Sequence, residues 1–149
     1  MNRTKKEDLL SLLFSCLIFF SFIAGFILDE NSAGAGGLGG DFKLIWKNLQ
    51  LFKHNIFDNL NSLEYNDSRT PIAYILHALF NPFIETEYQF RISVFIISLL
   101  CPVIFFFILK EKYKNVSKYL AIFISSLILL SPYFRTTAFW GLGENYAIL

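Results

Sequence analysis

A long uncharged run near the start of the chain limits what this sequence can fold into. The 20 residues from Leu9 to Leu28 carry no charge, and at a helical rise of about 1.5 Å per residue they are long enough to cross the hydrocarbon core of a bilayer. Two similar runs, Ile92–Leu109 and Tyr119–Phe134, follow later in the chain. Together the runs predict an all-α polytopic membrane protein with three transmembrane helices, at about 9–28, 91–109 and 119–134.

The composition agrees with a membrane location. Charged residues make up 17% of the chain and hydrophobic residues 54%, whereas soluble domains usually carry about 25% charged residues. The net charge of +1 and the lack of a groove-binding basic cluster argue against a nucleic-acid partner, so membrane lipid is the expected surrounding. Cys16 and Cys101 fall inside apolar runs, where cysteine usually acts as a small hydrophobic residue. We therefore predict no disulfide and no zinc site. The sequence shows no complete set of metal ligands, so no metal and no other cofactor are predicted.

The distribution of basic residues predicts the orientation in the membrane. Arg3, Lys5 and Lys6 precede the first run, and four lysines follow the second run at positions 110, 112, 114 and 118. Because cytoplasmic loops are enriched in lysine and arginine, the N-terminus is predicted to be cytoplasmic in an integral protein of the cell (inner) membrane. A secretory signal peptide is the alternative for the first run. The run is longer than the usual signal region of about 7–15 residues, which favours an uncleaved anchor.

The segment 29–90 is predicted to be a non-cytoplasmic loop, because it holds eight acidic residues against four basic ones. It contains two predicted juxtamembrane helices, an amphipathic one at 42–53 and another at 71–80 that is too short to cross a bilayer. Lys43 and Lys47 lie on the polar face of the first helix. That helix either rests in the outer membrane interface or also brings these lysines to a lipid-linked phosphate. Residues 147–149 are predicted to begin a fourth span.

Two acids, Asp29 and Glu30, follow the first apolar run directly. Adjacent carboxylates are costly to place beside lipid, and two interpretations are open. The acids either end the helix at the water interface or form the chemical centre of the protein. The predicted topology brings Arg69, Arg91, Arg135 and Glu144 to the same membrane face. This convergence favours the chemical interpretation.

The order of these features resembles the N-terminal part of the GT-C glycosyltransferases, in particular the branch with the protein mannosyltransferases and the aminoarabinose transferase of lipid A. Four short motifs carry the resemblance: Asp29-Glu30, the helix start Thr70-Pro71, the span entry Tyr88-Gln89-Phe90-Arg91-Ile92, and the segment from Ser131-Pro132 to Glu144. The family usually has aspartate where this chain has Glu144. Its members are much longer and have many more spans, so the resemblance implies that these 149 residues are a fragment of a longer transferase or the product of a truncated gene.

The resemblance implies an inverting transfer of a sugar from polyprenyl phosphate to a lipid, glycan or protein acceptor at the outer face. The complete protein would then be a hexosyl- or pentosyltransferase. Asp29 would remove the acceptor's proton, with Glu30 as second choice, and Glu144 would orient the acceptor or the base. The cationic groups that would bind the donor phosphate are Arg69, Arg91, Arg135, Lys43 and Lys47.

Two alternatives to an active transferase are open. One is a non-catalytic membrane protein, such as a transporter piece or an assembly subunit, and the other is a truncated, inactive transferase fragment. Transporters usually place charged groups inside their spans. The three uncharged runs of this chain therefore argue against transport.

Overall fold

The computed structural model describes residues 3–31, 40–65, 67 and 70–142. Of these residues 77% are helical and none lies in a strand, so the predicted all-α class is confirmed. The predicted start of a fourth span lies outside the described residues. The helices, in chain order, are α1 (Arg3–Ile27), α2 (Phe42–His54), α3 (Ile56–Leu60), α4 (Ile72–Phe80), α5 (Glu87–Ser98), α6 (Leu100–Lys112), α7 (Lys118–Ser126) and α8 (Pro132–Phe139), with a 3₁₀ turn at Leu127–Leu130 between α7 and α8.

Two helices of the described part are long and apolar enough to cross a membrane. The first is α1 from Lys5 to Ile27, and the second is the 26-residue helix Glu87–Lys112 that α5 and α6 form together. α5 and α6 are separated only at Leu99. Pro102 has no N–H to donate to the Ser98 carbonyl, so the helical ladder is interrupted there. The first two predicted spans thus coincide with helices that are able to cross a bilayer.

The third predicted span, 119–134, is not one straight helix. α7 and the 3₁₀ turn continue to Leu130, and α8 then leaves at an angle of 73°. The stretch Lys118–Leu130 reaches only about 20 Å at helical rise, less than an apolar core of about 30 Å. Ser131-Pro132 causes the break, because proline suits the first turn of a new helix and the Ser131 hydroxyl accepts from the Phe134 amide. A third crossing exists only if the two helices are one broken span.

α1 runs antiparallel to the helix formed by α5 and α6. Near the end of α1, the Phe26 ring stacks on Phe95 with centroids 4.4 Å apart. Near the beginning of α1, Asp8 accepts a hydrogen bond from Ser117, the residue before α7. The bundle thus has an Asp29 end, where α1 ends and α5 begins, and a lysine end, where α1 begins, α6 ends and α7 begins.

Aromatic side chains fill the space between the helices near the Asp29 end. Phe22 is fully buried, and its ring centroid lies 5.2 Å from that of Phe95 and 4.9 Å from that of Phe139. Aromatic pairs of this kind contribute about 0.5–1.5 kcal/mol each beyond their buried area. Because lipid tails are themselves apolar, close packing rather than escape from water holds such helices together in a membrane. The packing of Phe22 on Phe139 places α8 against α1 and so positions Arg135.

α2 and α4 form a second layer at the Asp29 end. They match the predicted helices 42–53 and 71–80 to within one residue at each end. Four apolar residues of α2 are buried against protein, none more than 4% exposed: Phe42, Ile45, Leu49 and Phe52. The placement of α2 in the outer membrane interface stays a prediction. The described side chains of α4 behave differently, since Tyr74 is buried and four large apolar residues are exposed: Ile72, Leu76, Leu79 and Phe80.

Candidate functional site

α1 ends in a Schellman motif that projects the two acids. The Glu30 amide donates to the Gly25 carbonyl at 2.9 Å, and the Asp29 amide donates to the Phe26 carbonyl at 3.3 Å. Asp29 has a φ of +54°, a left-handed conformation that aspartate tolerates better than most residues other than glycine. The acids therefore do end the helix. Their side chains make further contacts of their own.

Asp29 forms an ion pair with Arg91 of α5. Arg91 Nη2 donates to Asp29 Oδ1 at 2.6 Å, and Arg91 Nε donates to the Phe139 carbonyl at 2.8 Å. The guanidinium carbon lies 4.0 Å from the centroid of the Trp140 ring and 5.4 Å from that of Phe26, which adds cation–π attraction. The Arg91 side chain is only 10% exposed, whereas that of Asp29 is 64% exposed. Asp29 thus presents an accessible carboxylate that a buried cation holds in place.

Glu30 forms a bidentate pair with Arg135 of α8. Arg135 Nε donates to Glu30 Oε1 at 2.7 Å, and Nη2 donates to Oε2, the planar fork geometry that makes such pairs strong. The same guanidinium donates to the carbonyls of Leu129 and Ser21, at 3.2 and 3.0 Å. Arg135 therefore ties the end of α1 to the bend between α7 and α8. A phosphate would have to displace Glu30 to reach it.

We call Asp29, Glu30, Arg91 and Arg135 the acid–arginine cluster. The structure brings these four predicted site residues together from α1, α5 and α8, and the pairing is one acid to one arginine. Trp140, which sequence reasoning did not single out, joins the two pairs because its Nε1 donates to the Glu30 carbonyl at 2.9 Å and its ring covers Arg91. No local sequence signal identifies this role, since the contact depends on the bend before α8.

Gly25 is a second residue that sequence reasoning missed. A Cβ atom at this position would lie closer than 3.0 Å to Arg135 Nη2, Glu30 Oε2 and Phe139 Cε2. Glycine thus allows the guanidinium to lie against the backbone of α1. A signal was available, because Gly25 is the only glycine in the run from Leu9 to Leu28 and lies one helical turn before Asp29.

Gly25→Ala is expected to lower the free energy of unfolding by about 1–3 kcal/mol, the usual cost of overpacking a tight site. The added methyl must push apart Arg135 and Glu30, both of which are held by other bonds. Thermal unfolding of the helices in detergent, followed by circular dichroism, measures the change. Gly40→Ala is the matched control, because a Cβ there meets nothing within 4 Å. Equal midpoints for the two variants would contradict the assigned role of Gly25.

The remaining predicted site residues are not part of the acid–arginine cluster as described. Arg69 and Glu144 lie outside the described residues, so the predictions for them stay predictions. Lys43 and Lys47 are exposed on α2, on the side away from its buried face, and they are part of neither ion pair. The structure therefore leaves them as surface lysines near the Asp29 end.

An apolar groove lies between α4 and α5. It has a volume of about 810 Å³, and its lining includes Leu76, Phe80, Ile92 and Ile96. This volume is within the range of about 300–1,000 Å³ that is typical of small-molecule sites. The lining residues of α5 lie on the face of that helix away from Arg91, because positions 92, 93, 96 and 97 centre roughly opposite position 91 at about 100° per residue.

Three polar side chains that contact one another interrupt the apolar lining of this groove. Asn81 Nδ2 donates to Ser93 Oγ at 2.8 Å and lies 2.9 Å from His77 Nδ1. Burial lowers the pKa of His77 to about 4, so its imidazole is neutral near pH 7. The described lining thus carries no formal charge at that pH, which suits a hydrocarbon chain and not a phosphate.

The arrangement supplies an accessible carboxylate with a fixed orientation. A carboxylate of this kind accepts a proton from a hydroxyl that comes within hydrogen-bond distance. The Glu30 carboxylate accepts from Arg135 at both oxygens, and Arg135 also donates to the carbonyls of Leu129 and Ser21, which suits a structural role. In the described part of the chain, no group of three or more histidine, cysteine, aspartate or glutamate residues is arranged to hold a metal ion.

A scan against protein-family models and searches of curated proteins and of solved structures found no match to this chain.

Proposed function

We propose that this chain forms the acceptor-activating part of a membrane glycosyltransferase that takes its sugar from a polyprenyl-phosphate donor. The observation that carries the proposal is the accessible Asp29 carboxylate at the end of a membrane-length helix, bonded to the buried Arg91 at 2.6 Å. In this proposal Asp29 removes the proton of the acceptor hydroxyl as its oxygen attacks the anomeric carbon, and polyprenyl phosphate leaves. Arg91 orients the base, and its positive charge stabilises the negative charge that develops near the reacting atoms.

The proposal places the lipid part of the donor in the groove between α4 and α5. The groove is apolar, uncharged near pH 7 and bordered by a helix that is long enough to cross the bilayer. A donor chain in it would lie against α5, the helix that carries Arg91 on its other face, with its phosphate at the Asp29 end of the bundle. Arg69, Lys43 and Lys47 are the further candidates for that phosphate, because Arg135 is committed to Glu30.

The proposed orientation puts the Asp29 end at the outer face of the cell membrane. The lysine end would be cytoplasmic, in accordance with the excess of lysine there. α7 and α8 would then complete a third, broken span whose bend at Ser131 returns α8 to the acid–arginine cluster.

Transfer assays on native membranes test the proposed activity. Membranes from cells that express the gene's complete product are expected to move labelled sugar from polyprenyl phosphate to an endogenous acceptor, and membranes from a deletion strain are not. A panel of donors with different sugars identifies the substrate. Equal transfer by the two membrane preparations, for every donor in the panel, would remove the basis for the assignment.

A non-catalytic membrane protein is the second candidate, and one observation favours it. Both acids of the acid–arginine cluster are already paired with an arginine, so the cluster holds α1, α5 and α8 together without any substrate. In that case the chain serves as a structural subunit or as the inactive fragment of a transferase.

A further inference from the structure

The lysine end gathers basic side chains from two separate parts of the chain. Lys5 and Lys6 lie in the first turns of α1, and the others flank the loop between α6 and α7: Lys110, Lys112, Lys114 and Lys118. The bond from Ser117 to Asp8 and the packing of α1 on α7, including the tilted Phe14–Phe123 ring pair at 6.2 Å, bring the two groups to one surface. Glu7, Asp8 and Glu111 are the acids among the described residues of these segments, so positive charge prevails.

The lysines lie where the apolar runs stop. Leu9 follows Asp8, Leu109 precedes Lys110, and Tyr119 follows Lys118, so the lysines flank the ends of three apolar runs. Lys112 and Lys118 lie 5.5 and 5.0 Å from the ring centroids of Tyr113 and Tyr119. Tyrosine is enriched at the membrane–water interface, and lysine extends from there toward the headgroups.

We infer that the lysine end is a binding surface for the anionic headgroups of phospholipids in the adjacent leaflet. Clusters of about 4–8 basic residues beside a membrane helix attract anionic lipid by about 1 kcal/mol per residue. Lys110 is partly engaged, because its Nζ donates to the Val116 carbonyl at 2.7 Å and closes the loop. The other five described lysines are exposed. The inference is independent of the proposed glycosyl transfer, which concerns the opposite end of the bundle.

The test compares two double variants of the full chain in lipid nanodiscs. Lys112→Gln/Lys114→Gln removes two exposed charges at the lysine end, and Lys112→Arg/Lys114→Arg keeps both charges at the same positions. Electron spin resonance with spin-labelled phosphatidylglycerol or phosphatidylcholine measures the relative association constant of each lipid. We expect the unaltered chain to prefer phosphatidylglycerol. Because each lysine is expected to contribute about fivefold, the first variant should lower that preference about 5- to 25-fold. The second variant should leave it unchanged.

A third variant and a change of salt concentration test whether the charge of the lysine end causes the lipid preference. Lys5→Gln/Lys6→Gln should also lower the preference, since α1 shares the surface, and raising the salt concentration should weaken it. Three results would each overturn the inference: no preference in the unaltered chain, an equal loss in the arginine variant, or displacement of the labelled lipid by inorganic phosphate at constant ionic strength. A circular dichroism spectrum of each variant confirms that the helices are retained.

Discussion

Arg135→Met is expected to lower the free energy of unfolding by about 3 kcal/mol, near the lower end of the 3–5 kcal/mol that removal of one partner from a buried ion pair costs. The substitution leaves Glu30 without its bidentate partner and removes the bonds to the Leu129 and Ser21 carbonyls. The lower end applies because the Glu30 side chain is 31% exposed and retains some water. Thermal or denaturant unfolding in detergent, followed by circular dichroism, measures the loss.

A double-mutant cycle separates the ion pair from simple packing. Glu30→Met/Arg135→Met should recover part of the loss, because no unpaired carboxylate remains and two apolar side chains replace the pair. Arg135→Lys should fall between Arg135→Met and the unaltered chain, since lysine keeps the charge without the planar fork. Losses that simply add in the double variant would show that Glu30 and Arg135 act independently. Lys43→Met, at an exposed position of α2, is the control, with a change of at most about 0.5 kcal/mol.

The location of the acid–arginine cluster could be predicted from the sequence, but its pairing could not. The uncharged runs and the lysine loop predict which loops share a membrane face, and that prediction is enough to bring Asp29, Glu30, Arg91 and Arg135 to one end. Which acid meets which arginine depends on the rotation of each helix about its axis. That rotation is set by the packing of Phe22 and Phe26 on Phe95 and Phe139, which no local pattern specifies.

The break at Ser131-Pro132 illustrates the same limit. Proline predicts that a helix is interrupted, because its ring and missing N–H disrupt the ladder. The size of the angle, 73°, is not specified by proline, and it goes together with distant contacts of Arg135 with Glu30 and Ser21. Similarly, the apolar face of α2 was visible as a pattern, but a pattern does not distinguish lipid from protein as the neighbour of that face.

Asp29→Asn is expected to lower the rate of sugar transfer by about 10²- to 10⁴-fold, the usual contribution of a positioned general base. Asparagine is nearly the same shape and also tolerates the left-handed conformation that Asp29 adopts. Its amide no longer accepts the acceptor's proton. The cost in unfolding free energy should stay below about 1 kcal/mol, because the Asp29 side chain is largely exposed and the asparagine carbonyl still accepts the hydrogen bond from the buried Arg91.

Measuring both the transfer rate and the unfolding free energy distinguishes a general base from a structural ion pair. Glu30→Gln is the companion variant, since it weakens the bidentate pair with Arg135 and should lower stability and transfer together. Asp29→Asn should lower transfer alone, with an unfolding midpoint close to that of the unaltered chain. Transfer at the unaltered rate would exclude Asp29 as the base. A parallel loss of transfer and stability in both variants would assign the whole acid–arginine cluster to holding the helices together, because only a group that meets the substrate affects the rate without affecting the fold.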